Sequence, residues 1–167
     1  MAKKYFIVIS LILGGFFLMS KFGNNQITKT FSNHYSSNKV VNKNLSKIIV
    51  GDKELAVEVV REEIDLKNGL SNRDQIGSEG MLFILPFRRK VSFWMKDMRF
   101  PLDMIWIKDG KVVEITKDVS PPTREYNDDS SLILYSPQED VDQVLEVMAG
   151  NSDQWGISVG DTIVSIE

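Results

Sequence analysis

The chain has 167 residues, of which 43% are hydrophobic and 26% are charged, enough for one globular domain and an additional segment. Its charge is unevenly divided: residues 1–51 carry seven lysines and no acidic residue, whereas residues 52–167 carry 23 acidic and 13 basic residues, a net charge of −10. A domain this acidic repels a phosphate backbone, which excludes nucleic acid as an expected partner.

The first 23 residues are typical of a membrane anchor or an export signal. A pair of lysines precedes an apolar run from Tyr5 to Met19, and Lys21 follows it. As a helix, these 15 residues span about 22 Å against roughly 30 Å of bilayer hydrocarbon, a length that favours a signal peptide. However, small residues are missing where signal cleavage needs them, and the flanking lysines can snorkel around a short span. An uncleaved single-pass anchor through residues 5–19 is therefore favoured, and a secreted or periplasmic protein after cleavage is the alternative.

Residues 24–47 are predicted to form a flexible basic linker. They are rich in Asn, Ser, Lys and Thr and show no hydrophobic period. The one histidine of the chain, His34, lies in this segment and is interpreted as a solvated residue. The folded domain is predicted to cover residues 48–167, outside the cytoplasm under both interpretations of the N-terminus.

Short strands dominate the predicted domain, and tight turns join many of them. One short helix is predicted at residues 61–68, and a single helical turn near Asn151 or Ser152. Asp109-Gly110 supplies the turn of the clearest hairpin. In chain order, the strands are predicted at residues 48–50, 55–60, 81–85 (ended by Pro86), 91–95, 104–107, 112–115, 132–135, 141–147 and 162–166.

These elements predict a mostly β fold of the β-rich α+β class. Sequential strands joined by tight turns favour antiparallel pairing. Closing such a sheet into a small barrel-like structure removes its exposed edges, and one or two short helices complete the domain. A β-sandwich is the alternative.

A series of short motifs occurs in order along the predicted domain. The segments are Gly69–Arg73, Gly80–Phe83, Phe93–Lys96, Pro101–Asp103, Leu145-Glu146, Ala149-Gly150, Gly156-Ile157 and Gly160-Asp161. Over about residues 48–167, these motifs resemble the family called domain of unknown function 192 (DUF192), with serine at position 71 where the family has methionine. The resemblance implies a compact, β-rich and often exported domain, and it implies no activity.

No catalytic motif is present, because the chain lacks cysteine and its one histidine lies in the linker. A candidate ligand-binding patch surrounds Trp94, which strand alternation places on the same face as Lys96 and opposite Phe93 and Met95. Tryptophan beside charged groups suits a sugar or a peptide; a buried Trp94 and an Asp103 that bonds turn amides are the alternative interpretation. The patch consists of Trp94, Lys96, Asp97, Arg99 and Asp103.

Three further residues are candidates for structural polar roles: Arg73, Glu146 and Asp161. Arg73 is expected to pair with Asp103 or Glu146 as a buried bridge rather than to bind a substrate. No metal or cofactor is expected: the acidic residues at positions 118, 125, 128 and 129 are interpreted as a solvated loop, and the methionines as core residues rather than copper ligands.

The favoured function is a non-catalytic binding or interaction module of the cell envelope, with a glycan, peptide or protein ligand. No catalytic residue is assigned. One alternative is a carboxylate-dependent hydrolase acting on envelope polysaccharide. Another is a structural subunit of an envelope complex.

The anchor predicts that the full chain stays with membranes after a high-salt wash and that protease added to spheroplasts digests the domain. Fractionation and immunoblotting check both outcomes. A soluble species that starts after Ser20 would instead show a cleaved signal, and protection from protease in intact spheroplasts would contradict export.

Overall fold

Seven strands and two short helices make up the residues that the computed structural model describes, 45–123 and 131–166, all within one compact unit, Asn42–Glu167. The predicted anchor, the linker up to residue 44 and most of the acidic loop lie outside the described residues. No helix in the described part of the chain is long and apolar enough to cross a membrane. In chain order the elements are β1 (Ser46–Val50), β2 (Lys53–Val60), α1 (Glu63–Asn68), β3 (Gly80–Arg89), β4 (Leu102–Lys108), β5 (Lys111–Val119), β6 (Val141–Met148), α2 (Asn151–Gln154) and β7 (Ile163–Ile166).

The seven strands form one sheet in the order β5-β4-β6-β3-β2-β1-β7. All neighbouring strands are antiparallel except β2 and β3, which α1 and its flanking loops connect as a parallel pair. The sheet curls into a half-barrel, and its two edge strands meet at one end through a bridge between Lys111 and Thr162. The mostly β, barrel-like fold with two short helices is thus confirmed.

Both faces of the central strands are buried. The concave face carries a cluster that includes Ile48, Leu55 and Ile107, drawn from strands on both sides of the half-barrel. The outer face carries a second cluster, hereafter the outer cluster, which the β2–β3 and β3–β4 connections cover. Its residues are Val60, Leu70, Ile76, Met81, Phe83, Leu85, Val91, Met95, Met98, Phe100, Leu102, Met104, Trp106, Val119, Val141 and Val144.

The β4–β5 hairpin confirms the strongest local prediction. Asp109 and Gly110 have φ angles of 51° and 71°, the two consecutive positive values that a type I′ turn requires. Glycine adopts such angles without strain, and aspartate tolerates them better than most residues. The turn therefore fixes the register in which Lys108 lies opposite Lys111.

Several predicted boundaries, and two predicted strands, were wrong. The first strand begins at Ser46 rather than Ile48, and β3 continues through Pro86 to Arg89. Proline is tolerated there because the register between β3 and β6 shifts between Ile84 and Arg89, so its missing N–H leaves no ladder bond unmade. The predicted strands at residues 91–95 and 132–135 meet only at a single bridge between Phe93 and Tyr135.

The aromatic side chain of Phe93 explains the apolar pattern that was read as a strand. Its ring packs edge-to-face against Phe83 and Trp106, with centroid distances of 5.1 and 5.6 Å. Met95 is buried, whereas Trp94 points outward and is 45% exposed. The predicted alternation therefore holds from Phe93 to Met95 even though the segment is not a regular strand, and Lys96 already lies in the following turn.

Phe93→Ala should lower the free energy of unfolding by about 3 kcal/mol, because it removes two aromatic contacts and opens a cavity in the outer cluster. Trp94→Ala should lower it by less than about 1 kcal/mol, as is usual for an exposed position. Urea unfolding followed by circular dichroism measures both. Equal losses for the two variants would show that Trp94 is also part of the core.

Candidate ligand-binding cavity

A cavity of about 490 Å³ lies between the outer face of the sheet and the two connections that cover it. Its apolar lining comes from the outer cluster and neighbouring side chains, and its polar lining from α1 and the β3–β4 connection. The lining residues are Glu63, Leu66, Lys67, Asn68, Gly69, Leu70, Ser71, Phe83, Leu85, Arg89, Lys90, Val91, Ser92, Phe93, Trp94, Met98, Leu102 and Glu146.

The two connections are bonded to each other, which holds the cavity open in a defined shape. The hydroxyl of Ser71 donates to the carbonyl oxygen of Lys96 at 2.9 Å, and the backbone N–H of Asn72 donates to the carbonyl oxygen of Asp97 at 2.9 Å. Gly69 ends α1 with a φ of 47°, and a Cβ added there would lie 3.2 Å from the ring of Phe83. Glycine thus lets the chain turn directly over the sheet.

Glu146 lies at the floor of the cavity, two residues before the end of β6. Its register partners are Met81 on β3 and Met104 on β4, and the residue is 4% exposed. Among residues 45–123 and 131–166, its carboxyl group has no hydrogen-bond or ion-pair partner, and the residue lines the cavity. Burial in these apolar surroundings raises the pKa of Glu146 to about 8, so at neutral pH the group is mostly the uncharged acid.

Asp103 is buried on the opposite face and is fully hydrogen-bonded. One carboxylate oxygen accepts the N–H of Asp118 at 3.0 Å, and the other accepts the N–H groups of Gly150 and Ser152 and the hydroxyl of Ser152, at 3.0, 3.1 and 2.7 Å. These bonds tie β4 to β5 and to the start of α2. The side chain is 0% exposed, an arrangement that fits the alternative interpretation, in which Asp103 bonds backbone amides, better than a place in a ligand-binding patch.

Arg73 pairs with Glu58 and not with either predicted partner. One guanidinium nitrogen lies 2.9 Å from both carboxylate oxygens of Glu58 and 3.3 Å from the carbonyl oxygen of Ile76. Glu58 on β2 is buried and shares the register partner Met81 with Glu146, so both glutamates lie on the outer face of the sheet. The sequence signal for Glu58 was an acidic residue within the apolar run of β2.

The remaining patch residues do not converge on one site. Trp94 forms part of the cavity wall, but Lys96 and Asp97 lie in a turn whose carbonyl groups bond the neighbouring connection. Arg99 forms an exposed ion pair with Asp74. Asp161 accepts the N–H of Ser158 at 2.8 Å, an arrangement that fits its expected structural role.

Basic residues outnumber acidic ones around the cavity. Lys67 on α1 and Arg89 and Lys90 at the end of β3 line it, against Glu63 at the rim and the mostly uncharged Glu146 at the floor. The guanidinium of Arg89 lies 5.1 Å from the ring centre of Phe87. This positive rim contrasts with the acidic sequence of residues 52–167 as a whole.

A family model for DUF192, described as uncharacterized ACR, matches residues 46–165. The chain belongs to the DUF192 family. No curated protein matches it. Among solved structures, a proposed transcription regulator from Sinorhizobium meliloti 1021 is similar, with 28% identity and a TM-score of 0.63, covering 72% of this chain and 92% of that one. A protein of unknown function from Novosphingobium aromaticivorans DSM 12444 shares the fold, with 24% identity and a TM-score of 0.62, covering 71% and 83%.

No group of three or more potential metal ligands of the His, Cys, Asp and Glu types occurs among the residues that the structure describes. The acidic residues at positions 125, 128 and 129 are outside that part of the chain. Met81, Met95, Met98 and Met104 belong to the outer cluster, as expected of core residues.

Glu146→Gln should make the DUF192 domain more stable at neutral pH. The folded state holds the Glu146 proton up to about pH 8, whereas the unfolded chain releases it near pH 4.5. The wild type therefore loses stability as pH rises through this window, by roughly 3 kcal/mol at pH 7, and the variant does not. Urea unfolding at pH 4, 6 and 8 measures the difference, which should vanish at pH 4.

Asp103→Asn is the matched control at the other buried carboxyl. An amide cannot accept all four donors around Asp103, so the variant should lose about 1–3 kcal/mol at neutral pH. A stability gain at both positions would mean that the hydrogen bonds of Asp103 contribute nothing. Equal stability of Glu146→Gln and wild type at pH 8 would mean that the Glu146 carboxyl is solvated.

Proposed function

We propose that this DUF192 domain is a non-catalytic binding module of the cell envelope, held outside the cytoplasm by its N-terminal anchor, and that it takes a small, largely apolar ligand in the cavity. The observation that carries the proposal is Glu146, a buried carboxyl without a partner in the described structure, at the floor of a mainly apolar cavity whose rim is charged. Such cavities, with few polar groups that converge, are the usual form of small-molecule sites.

Glu146 weakens the fold, which favours a functional reason for it. A leucine at this position would remove the desolvation penalty and add to the outer cluster. Proteins keep destabilising groups of this kind mainly where a site needs them. Asp103 shows that the same sheet satisfies a buried carboxyl where the role is structural.

The cavity also defines the chemistry of the ligand. The apolar body would contact Leu70, Phe83 and Leu85, and the ring of Trp94 would form one wall. The uncharged Glu146 offers one O–H donor and acceptor oxygens, so the inner end of the ligand needs a hydroxyl, amide or amine. A free amine would draw the proton from Glu146 and form a buried ion pair.

The runner-up is a hydrolase that uses Glu146 as its general acid, for which a pKa near 8 is suitable. Glycoside hydrolysis needs a second carboxylate across the substrate. Glu63 is the other carboxylate that lines the cavity, and it is exposed, while Glu58 is bonded to Arg73. This lack of a second converging carboxylate favours binding over hydrolysis.

The transcriptional role proposed for the S. meliloti protein is not carried over to this chain. Residues 52–167 have a net charge of −10, and DNA binding depends on neutralising phosphates with basic residues. The cavity, by contrast, offers a binding site for a small molecule.

A fragment screen by thermal shift, using aromatic and aliphatic compounds with amine, alcohol or amide ends, tests the proposal. We expect binders that perturb the NMR signals of residues around the cavity and that lose at least tenfold in affinity in Glu146→Leu, although this variant is more stable than wild type. Glu146→Gln should retain its affinity for alcohols and amides and lose its affinity for amines.

Glu79→Gln serves as the control, because Glu79 bonds the backbone of Ala56 at 2.7 Å and does not line the cavity. Its affinity for the same compounds should equal that of the wild type. Binders unaffected by Glu146→Leu, or no binders in the cavity, would refute the proposal. If the wild type hydrolyses envelope polysaccharide, and Glu146→Gln and Glu63→Gln each abolish that activity, the protein is a hydrolase instead.

A further inference from the structure

The mouth of the cavity combines basic and apolar side chains that point into water. Lys67, Arg89 and Lys90 supply three positive charges, and Glu63 one negative charge. Next to them, Trp94 is 45% exposed and Phe87 is 61% exposed, with the guanidinium of Arg89 over the ring of Phe87. Basic and aromatic residues side by side are typical of surfaces that lie at a membrane interface.

This local charge is opposite to that of the rest of the domain. Residues 52–167 carry ten more acidic than basic residues, so a random patch of the surface is negative. Elsewhere among the described residues, several exposed cations are neutralised by a carboxylate, as in Lys47 with Glu54 and Lys117 with Asp153. Within the described residues, Lys90 and Arg89 form no ion pair, so their charge is available to an outside partner.

We propose that the mouth of the cavity docks onto an anionic lipid surface, with Trp94 and Phe87 at the level of the headgroups and Arg89 and Lys90 on the lipid phosphates. Charge complementarity selects this partner: an acidic protein surface would be drawn to the same cations, but it offers no apolar layer for two exposed rings. Each lysine or arginine near an anionic bilayer strengthens binding about fivefold, and the effect decays over about 8 Å at physiological salt.

Docking in this orientation would direct the cavity toward the bilayer. A ligand that reaches Glu146 would then pass the headgroup region rather than bulk water. The inference goes beyond the proposed function and does not depend on it, since the mouth can bind lipid whether or not the cavity takes a ligand.

Tryptophan quenching by lipids with brominated acyl chains tests the docking. The full chain is mixed with vesicles of brominated phosphatidylglycerol or of brominated phosphatidylcholine. The three tryptophans are Trp94, Trp106, which is fully buried, and Trp155, which is half-buried, so Trp94 is the one within reach of the lipid. We expect quenching with the anionic vesicles that Trp94→Phe abolishes, and little quenching with the zwitterionic ones.

Lys90→Ala should lower the ratio of docked to free domain about fivefold. The matched control is Lys117→Ala, because β3 and β4 run in the same direction and β5 runs opposite, which places Lys117 at the other end of the sheet from Lys90. Equal quenching in both variants, or in both kinds of vesicle, would overturn the proposal.

Vesicle flotation without quenching of Trp94 would also overturn it, because the chain would then be held by its N-terminal segment alone. Failure of the proposed small-molecule function would give a different result. The fragments would then bind Glu146→Leu as tightly as the wild type, while the quenching of Trp94 by anionic lipid would persist. Absence of quenching in every vesicle would likewise overturn the docking.

Discussion

The fold depends on a sheet whose central strands are buried on both faces. Strands β3, β4 and β6 face the interior of the half-barrel on one side and the outer cluster on the other. A polar side chain on any of them must find a partner or destabilise the protein. Asp103 and Glu146 lie on neighbouring strands and are both subject to this constraint, but only Asp103 has hydrogen-bond partners in the described structure.

Asp103 is part of the scaffold because its bonds hold three elements in place. Four donors from β5, from the turn after β6 and from α2 surround its two oxygens. Glu146 has no such donors in the described structure, and the space above it is a cavity rather than packed side chains. The presence of hydrogen-bond donors around Asp103 and their absence around Glu146 thus distinguish a structural carboxyl from a candidate binding group within one sheet.

Residues typical of tight turns allowed the local structure to be predicted from the sequence. The partners of buried charged groups, by contrast, could not be predicted. Asp109-Gly110 defines its hairpin because only a few residues accept positive φ angles. The partner of Arg73, by contrast, is brought to it by the parallel pairing of β2 with β3, which sequence adjacency does not indicate. For Glu146 the sequence indicated a structural polar role and a possible pairing with Arg73, because the pattern of residues does not reveal which buried carboxyl groups find a partner.

The position of β7 has a kinetic consequence. The last strand of the chain pairs with the first, Lys47 with Ile166 and Val50 with Ile163, and its start also bridges to β5. Contacts between residues so distant in sequence form late, because closing a long loop costs chain entropy before any bond forms. Until the C-terminal residues arrive, β1 remains an open edge that can pair with another chain. Completing this sheet is therefore the step at which folding and aggregation compete.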